Sequence, residues 1–129
     1  VRKLSASKTK YFLNKEELVS LGKVVSLDRM LALLREEKIV DKKDGFDKIP
    51  FYKPSPGKDT EDGYSSRIGI HEVLRMTPTI KDLIMKGETA GKIEEQAKSE
   101  GMITMLEDGI FKAAQGVTTI EEVLRVITE

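Results

Sequence analysis

The chain has no cysteine, so it can form no disulfide and offers no thiolate to a metal. It has one histidine, His71, too few for an imidazole cluster. It has no charge excess: 22 Lys and Arg cancel 22 Asp and Glu. That balance argues against a nucleic-acid tail or a polybasic membrane anchor, both of which need clustered positive charge. No apolar run approaches the roughly 18–20 residues of a membrane span, and no signal-peptide core opens the chain. No stretch reads Gly-x-x-x-x-Gly-Lys-Ser/Thr, so this chain carries no phosphate-cradling loop. These absences suit a cytoplasmic protein that works without a cofactor of its own. The first residue is Val1 rather than Met, and Val1-Arg2-Lys3-Leu4 reads like the end of a strand. The expectation is a piece cut from a longer polypeptide.

What is present is a series of short elements in 129 residues, room for one domain or a domain with an extension. Asn14 followed by Glu17 is a capping-box pattern, with Gly22 as a stop. A second helix starts at Ser26 and carries Leu27, Met30, Leu31 and Leu34 at helical spacing, one apolar stripe. Residues 41–62 are rich in Lys, Asp, Pro and Gly and read as linker, with an extended stretch at Ile49–Pro54 imposed by two prolines. Asp62-Gly63 is a tight-turn signal feeding a strand expected over Arg67–Leu74.

The rest reads as helix. Thr77-Pro78 opens one that Gly87 stops. Thr89 caps the next, with Ile93 and Ala97 inward, ending at Gly101. Thr104 starts a third, with Met105, Ile110 and Ala113 expected in the core, ending near Gly116. Thr118 with Glu121 reads as a capping box for a last helix presenting Ile120, Val123, Leu124 and Ile127 on one face. Helices of about 8–12 residues are too short to stand alone and must pack together. The expected fold is α+β and mostly α: a small mixed subdomain over residues 1–62, then a strand and a compact bundle of about four short helices over 63–129.

The run Gly63-Tyr64-Ser65-Ser66-Arg67-Ile68-Gly69-Ile70-His71-Glu72, with Thr77-Pro78, Gly101-Met102, Asp108-Gly109 and Gly116-Val117-Thr118-Thr119-Ile120-Glu121-Glu122-Val123-Leu124, resembles the C-terminal end of the type II secretion and type IV pilus assembly ATPases. Those are hexameric motors using ATP and magnesium. The resemblance implies a non-catalytic C-terminal part of such a motor, acting through contacts with the rest of its own ATPase, neighbouring subunits and an inner-membrane platform protein. It implies a cytoplasmic place, peripheral to the inner membrane through partners, with neither nucleic-acid binding nor membrane insertion.

The resembled motors carry two Cys-x-x-Cys pairs that hold zinc. Aligned on the Arg-Lys-Leu strand, the first pair falls at Ser5 and Lys8. Aligned on Gly63-Tyr64, the second falls near Pro56 and Asp59, or at Gly57 and Thr60 under a shorter spacing. None of these residues makes a zinc set, so no metal is expected here. The Ser26 helix and the Ile49–Tyr52 stretch are expected to hold the subdomain together instead. Ser66 stands where the family's Gly-Tyr-x-Gly-Arg-x-Gly pattern has glycine. By the same resemblance Arg67 is an arginine that would reach a neighbouring subunit's nucleotide; the local reading pairs it with Glu61 or Asp62.

The remaining candidates read more plainly. His71 lacks partners and reads as structural, and Glu72 with Asp108 reads as a chance pair rather than acid–base machinery. Met76, Met85, Met102 and Met105 read as core, or else as a partner face. The charges of Lys81, Asp82, Lys86, Glu94, Glu95 and Lys98 would then give specificity. A free-standing helical module regulating such a machine is the alternative. A helix-turn-helix DNA binder is disfavoured by Glu121, Glu122 and Glu129 against Arg125 in the last helix. No nucleophile and base can be assembled for an enzyme acting alone.

Overall fold

The computed structural model describes residues 1–41, 43–72 and 74–128; Val73, within the strand expected over Arg67–Leu74, and Glu129 lie outside them. In chain order the elements are β1 (Arg2–Leu4), β2 (Lys8–Tyr11), α1 (Lys15–Gly22), α2 (Leu27–Glu36), a 3-10 turn (Phe46–Lys48), β3 (Phe51–Pro54), β4 (Tyr64–Arg67), α3 (Pro78–Met85), α4 (Ala90–Ser99), α5 (Met105–Ala114) and α6 (Ile120–Thr128). The fold is α+β and mostly helical. The strands form two antiparallel pairs nested in sequence, β2 with β3 inside and β1 with β4 outside.

Local chemistry sets most helix starts. Asn14 accepts from the Glu17 N–H while the Glu17 side chain accepts from the Asn14 N–H, two orphan amides satisfied at once. Ser26, Thr77, Thr89 and Thr104 each accept from the amide three residues on. Thr104 and Glu107 make a second full capping box. The last helix starts one residue later than its sequence pattern reads. Its cap is Thr119, whose Oγ1 accepts the Glu122 N–H at 3.0 Å. Thr118 is diverted because its hydroxyl donates to the Arg2 carbonyl at 2.7 Å.

The core lies between α1, α2, β3 and α5. Met30, Leu34, Ile49, Phe51, Ile110 and Ala113 are fully buried, with Leu13, Leu21, Val40 and Phe46 around them. Phe51 stacks on Phe46 with centroids 6.1 Å apart and meets Tyr11 at 6.5 Å. Both sides of the 62/63 boundary contribute to it. The stretch read as linker therefore supplies core: Phe46 turns inward from its 3-10 turn. In the bundle α5 and α6 approach so closely that a Cβ on Gly109 would lie 2.4 Å from Val123, a contact only glycine permits.

The strand expected over Arg67–Leu74 is displaced to Tyr64–Arg67. Its partner β1 is only three residues long, so the ladder ends there. After Ile68 donates to the Val1 carbonyl, the described backbone turns to side chains of α5. Along the ladder, Leu4 faces Tyr64 and Arg2 faces Arg67, two steps against three. That bulge places Ser66 at φ 57°, a left-handed conformation that favours glycine. It gives a physical reason for the glycine of the resembled pattern.

Candidate functional site

Two buried carboxylates join distant segments. Glu122 has only 2% of its side chain exposed and lies in the first turn of α6. Its oxygens accept from Arg125 Nη2 at 2.6 Å, from Arg2 Nη2 at 2.9 Å and from the Arg2 backbone N–H at 3.0 Å. Arg125 and then Arg2 hold its carboxyl far below the usual carboxylate range, overcoming burial. Arg2 also packs 4.4 Å from the Tyr64 ring centroid and reaches Asp62 at 3.3 Å. Tyr64 shares a 3.1 Å hydrogen bond with Thr119, and the Leu4 N–H donates to the Val117 carbonyl. The first strand and the last helix are thus locked together.

Glu107 makes the second lock. It accepts from Arg29 Nε at 2.6 Å, while the same guanidinium donates to the carbonyls of Lys98 and Met102. Burial pushes its carboxyl up, but the Thr104 N–H and Arg29 outweigh that and leave it lowered. Helix α2 is thereby tied to the end of α4 and the start of α5. Neither lock has a local signature among neighbouring residues. A carboxylate in a capping position looks the same whether or not an arginine arrives from far along the chain.

Arg67 is exposed at the end of β4 and makes no ion pair among the described residues. Of its two expected local partners, Asp62 instead engages Arg2 and accepts the Tyr64 N–H at 3.0 Å. His71 folds its ring over Gly69, and its backbone N–H donates to Asp108 at 2.9 Å. Asp108 also takes Lys112 at 2.8 Å, and Glu72 accepts the Met105 N–H. Each carboxylate thus serves to hang the segment after β4 on α5. His71, Arg75, Glu100 and Asp108 line a cavity of about 460 Å³ beside Gly101 and Met102. Its described lining residues include no Ser, Thr or Lys beside His71.

The methionines depart from the core reading. Met76 and Met85 are 60% and 80% exposed, and Met105 is 38% exposed; only Met102 of the four is half-buried. Because α3 is covered chiefly by α4, it buries Ile80 and leaves Ile84 and Met85 outside. A second apolar depression, about 570 Å³, lies between α1 and α6 over Leu13, Leu21, Val24, Ile120 and Leu124. Among the described residues no helix is long and apolar enough to cross a membrane.

The family described as type II/IV secretion system protein matches residues 13–125. Among similar proteins, the type IV pilus assembly ATPase PilB of Thermus thermophilus is 48% identical over 62 residues, 48% of this chain and 7% of that protein. PilB of Pseudomonas aeruginosa is 40% identical over 75 residues, 58% of the chain and 13% of that protein. The type II secretion system protein E of Xanthomonas campestris is 44% identical over 78 residues, 60% of the chain and 14% of that protein. The matched part is therefore a small fraction of each relative. With nearly its whole length inside the match, this chain belongs to the type II/IV secretion system protein family.

Proposed function

We propose that the chain is the non-catalytic C-terminal part of a hexameric ATPase driving type II secretion or type IV pilus assembly. ATP and magnesium would be bound elsewhere in the parent polypeptide. The observation that carries this reading is the uncovered apolar surface at α3, where Leu74, Met76, Ile84 and Met85 are exposed although the main core is closed. Exposed apolar side chains grouped along one segment are a contact surface. The relatives are named as ATPases, and the small share of each that is matched agrees with an engine outside this chain.

Neighbouring subunits are the proposed occupants of that surface, and the inner-membrane platform protein is a further partner, keeping the assembly peripheral to the membrane. Lys86 pairs with Asp82 and Lys98 with Glu94 along their own helices. Lys81 and Glu95, without ion pairs among the described residues, remain for charge complementarity. Arg67, at the bulged strand end, is assigned to an intersubunit contact. The two locks make the chain stiff between β1 and α6, as transmission of an ATP-driven movement requires.

The test is Met85→Asp and Arg67→Ala in the full-length ATPase, with export or piliation measured beside ATP hydrolysis. Both residues are exposed, so folding should persist; export should fall about tenfold or more, the loss of roughly 1.4 kcal/mol of contact. Normal export in both variants would sink the reading. The self-contained core favours one alternative, a free-standing helical module regulating such a machine. In that case Met85→Asp would abolish binding of this chain to an intact ATPase added in trans.

A further inference from the structure

The resembled motors' zinc would sit where Ser5, Lys8, Pro56 and Asp59 stand, and these residues do not fit it. Zinc takes four deprotonated sulfur, nitrogen or carboxylate donors. Here the set is a hydroxyl, an ammonium, a proline and one carboxylate, and the shorter spacing would substitute Gly57 and Thr60. Among the described residues no group of three or more His, Asp or Glu converges on a metal position. The same residues are instead committed to one another and to the bundle. Asp59 Oδ2 accepts the Ser7 N–H at 2.6 Å, Ser5 Oγ donates to the Ser7 carbonyl at 3.1 Å, and the Ser5 N–H donates to the Gly63 carbonyl. The loop that presents Asp59 is closed on itself by the Gly57 N–H donating to Thr60 at 2.8 Å.

Lys8 points the other way. Its Nζ donates to the Gly116 carbonyl at 2.7 Å, just past the end of α5, and lies 5.3 Å from the Tyr52 ring centroid. A cation there meets the negative end of the helix as well as the ring face. Gly116 has φ 81°, and a Cβ on it would lie 3.0 Å from Lys8 Nζ and 3.2 Å from the Tyr52 ring. The lysine, the ring and the glycine fit as a unit.

We propose that Asp59 and Lys8 form a metal-free clasp. Asp59 closes loop 55–63 against the Ser5–Ser7 turn, and Lys8, at the start of β2 just after that turn, fastens it to the end of α5. What the clasp replaces rests on the family reading; the two bonds themselves do not. Zinc held at these positions would tie the Ser5–Lys8 segment and loop 55–63 to each other alone. The clasp also ties them to the helical bundle, so it is blind to chelators and responsive to the loss of either charge.

The test uses this chain expressed in zinc-supplemented medium. Metal analysis should find far less than one zinc per chain, and the thermal midpoint should be the same with and without EDTA. Lys58 sits in the Asp59 loop, which makes trypsin a local probe. Asp59→Ala should speed cleavage after Lys58 about tenfold by local opening, and the isosteric Asp59→Asn should fall between it and the parent. Lys8→Met keeps the stem over Tyr52 and should lower the midpoint by about 3 °C. Stoichiometric zinc, a midpoint that falls in EDTA, unchanged cleavage after Lys58 in Asp59→Ala, or an unchanged midpoint in Lys8→Met would each overturn the clasp. A zinc-loaded chain would leave the family function standing, whereas failed export variants would leave the protease result untouched.

Discussion

The two halves of the helical region are held by different physics. Around α5, α6 and β1, buried carboxylates meet arginines from far along the chain, over a core that includes Phe51 and Ile110. In the α3–α4 pair the described ion pairs Lys86–Asp82, Lys92–Glu88 and Lys98–Glu94 all lie within one helix or its first turn, on the surface, and few side chains are buried beyond Ile80 and Ala97. The first region is specified by tertiary contact. The second is specified by local signals and leaves apolar surface for something else to cover.

The sharpest break is at Phe51. Phe51→Ala should cost about 3–5 kcal/mol and unfold the whole chain cooperatively, as read by chemical denaturation. Ile80→Ala should loosen α3 and α4 first, seen as faster amide exchange there while the α5–α6 amides stay protected. Equal loss of protection in both regions would erase the distinction.

Next comes Glu122→Gln. Both arginines are nearly half exposed, so solvent screens the pair and the loss should be about 2 kcal/mol rather than the 3–5 of an enclosed ion pair. The pH dependence follows from the same group. Its folded pKa is depressed, so its stabilisation is fully present above the ordinary glutamate value and is lost as pH falls through the range below about 4. Glu107 acts with the same sign. Urea midpoints measured from pH 7 to pH 3 should fall less steeply in Glu122→Gln than in the parent.

Ser66→Gly should raise stability by up to about 1 kcal/mol, because the left-handed backbone at this bulge penalises a Cβ; a lower thermal midpoint would contradict that. The smallest effect belongs to the helical surface pairs. Replacing Lys86, Lys92 and Lys98 by Ala one at a time should change stability by less than about 0.5 kcal/mol each in denaturant titration. A larger loss would mean that α3–α4 depends on charge after all.

How much could be read in advance follows the range of the interaction. Asn14 with Glu17, Ser26, Thr77-Pro78, Thr89 and Thr104 were legible as helix starts because a cap involves neighbours three residues apart. The Leu27–Leu34 stripe was legible for the same reason. The displaced β4 was not, because its length depends on β1, more than sixty residues earlier. Phe46 in a charged, Gly-containing stretch looked like linker until the Phe51 ring supplied something to stack on. Met76, Met85 and Met105 looked like core, yet Met76 and Met85 are largely exposed and Met105 partly so. For the candidate site, Arg67 stood out through its pattern, while Glu122, Glu107, Arg2 and Arg29 carried no local mark.

The amino-acid order by itself determined where most helices begin and end, which faces are apolar, and that this chain contains no thiolate and no Gly-x-x-x-x-Gly-Lys-Ser/Thr loop. Those outcomes depend on residues within a turn of one another or on residue types alone. Only the tertiary structure decided that Glu122 would be buried between two arginines, that Thr119 rather than Thr118 would cap α6, and that Lys8 would end on Gly116. Each needs a partner brought from a distant segment. A buried charge is stable only once that partner has arrived.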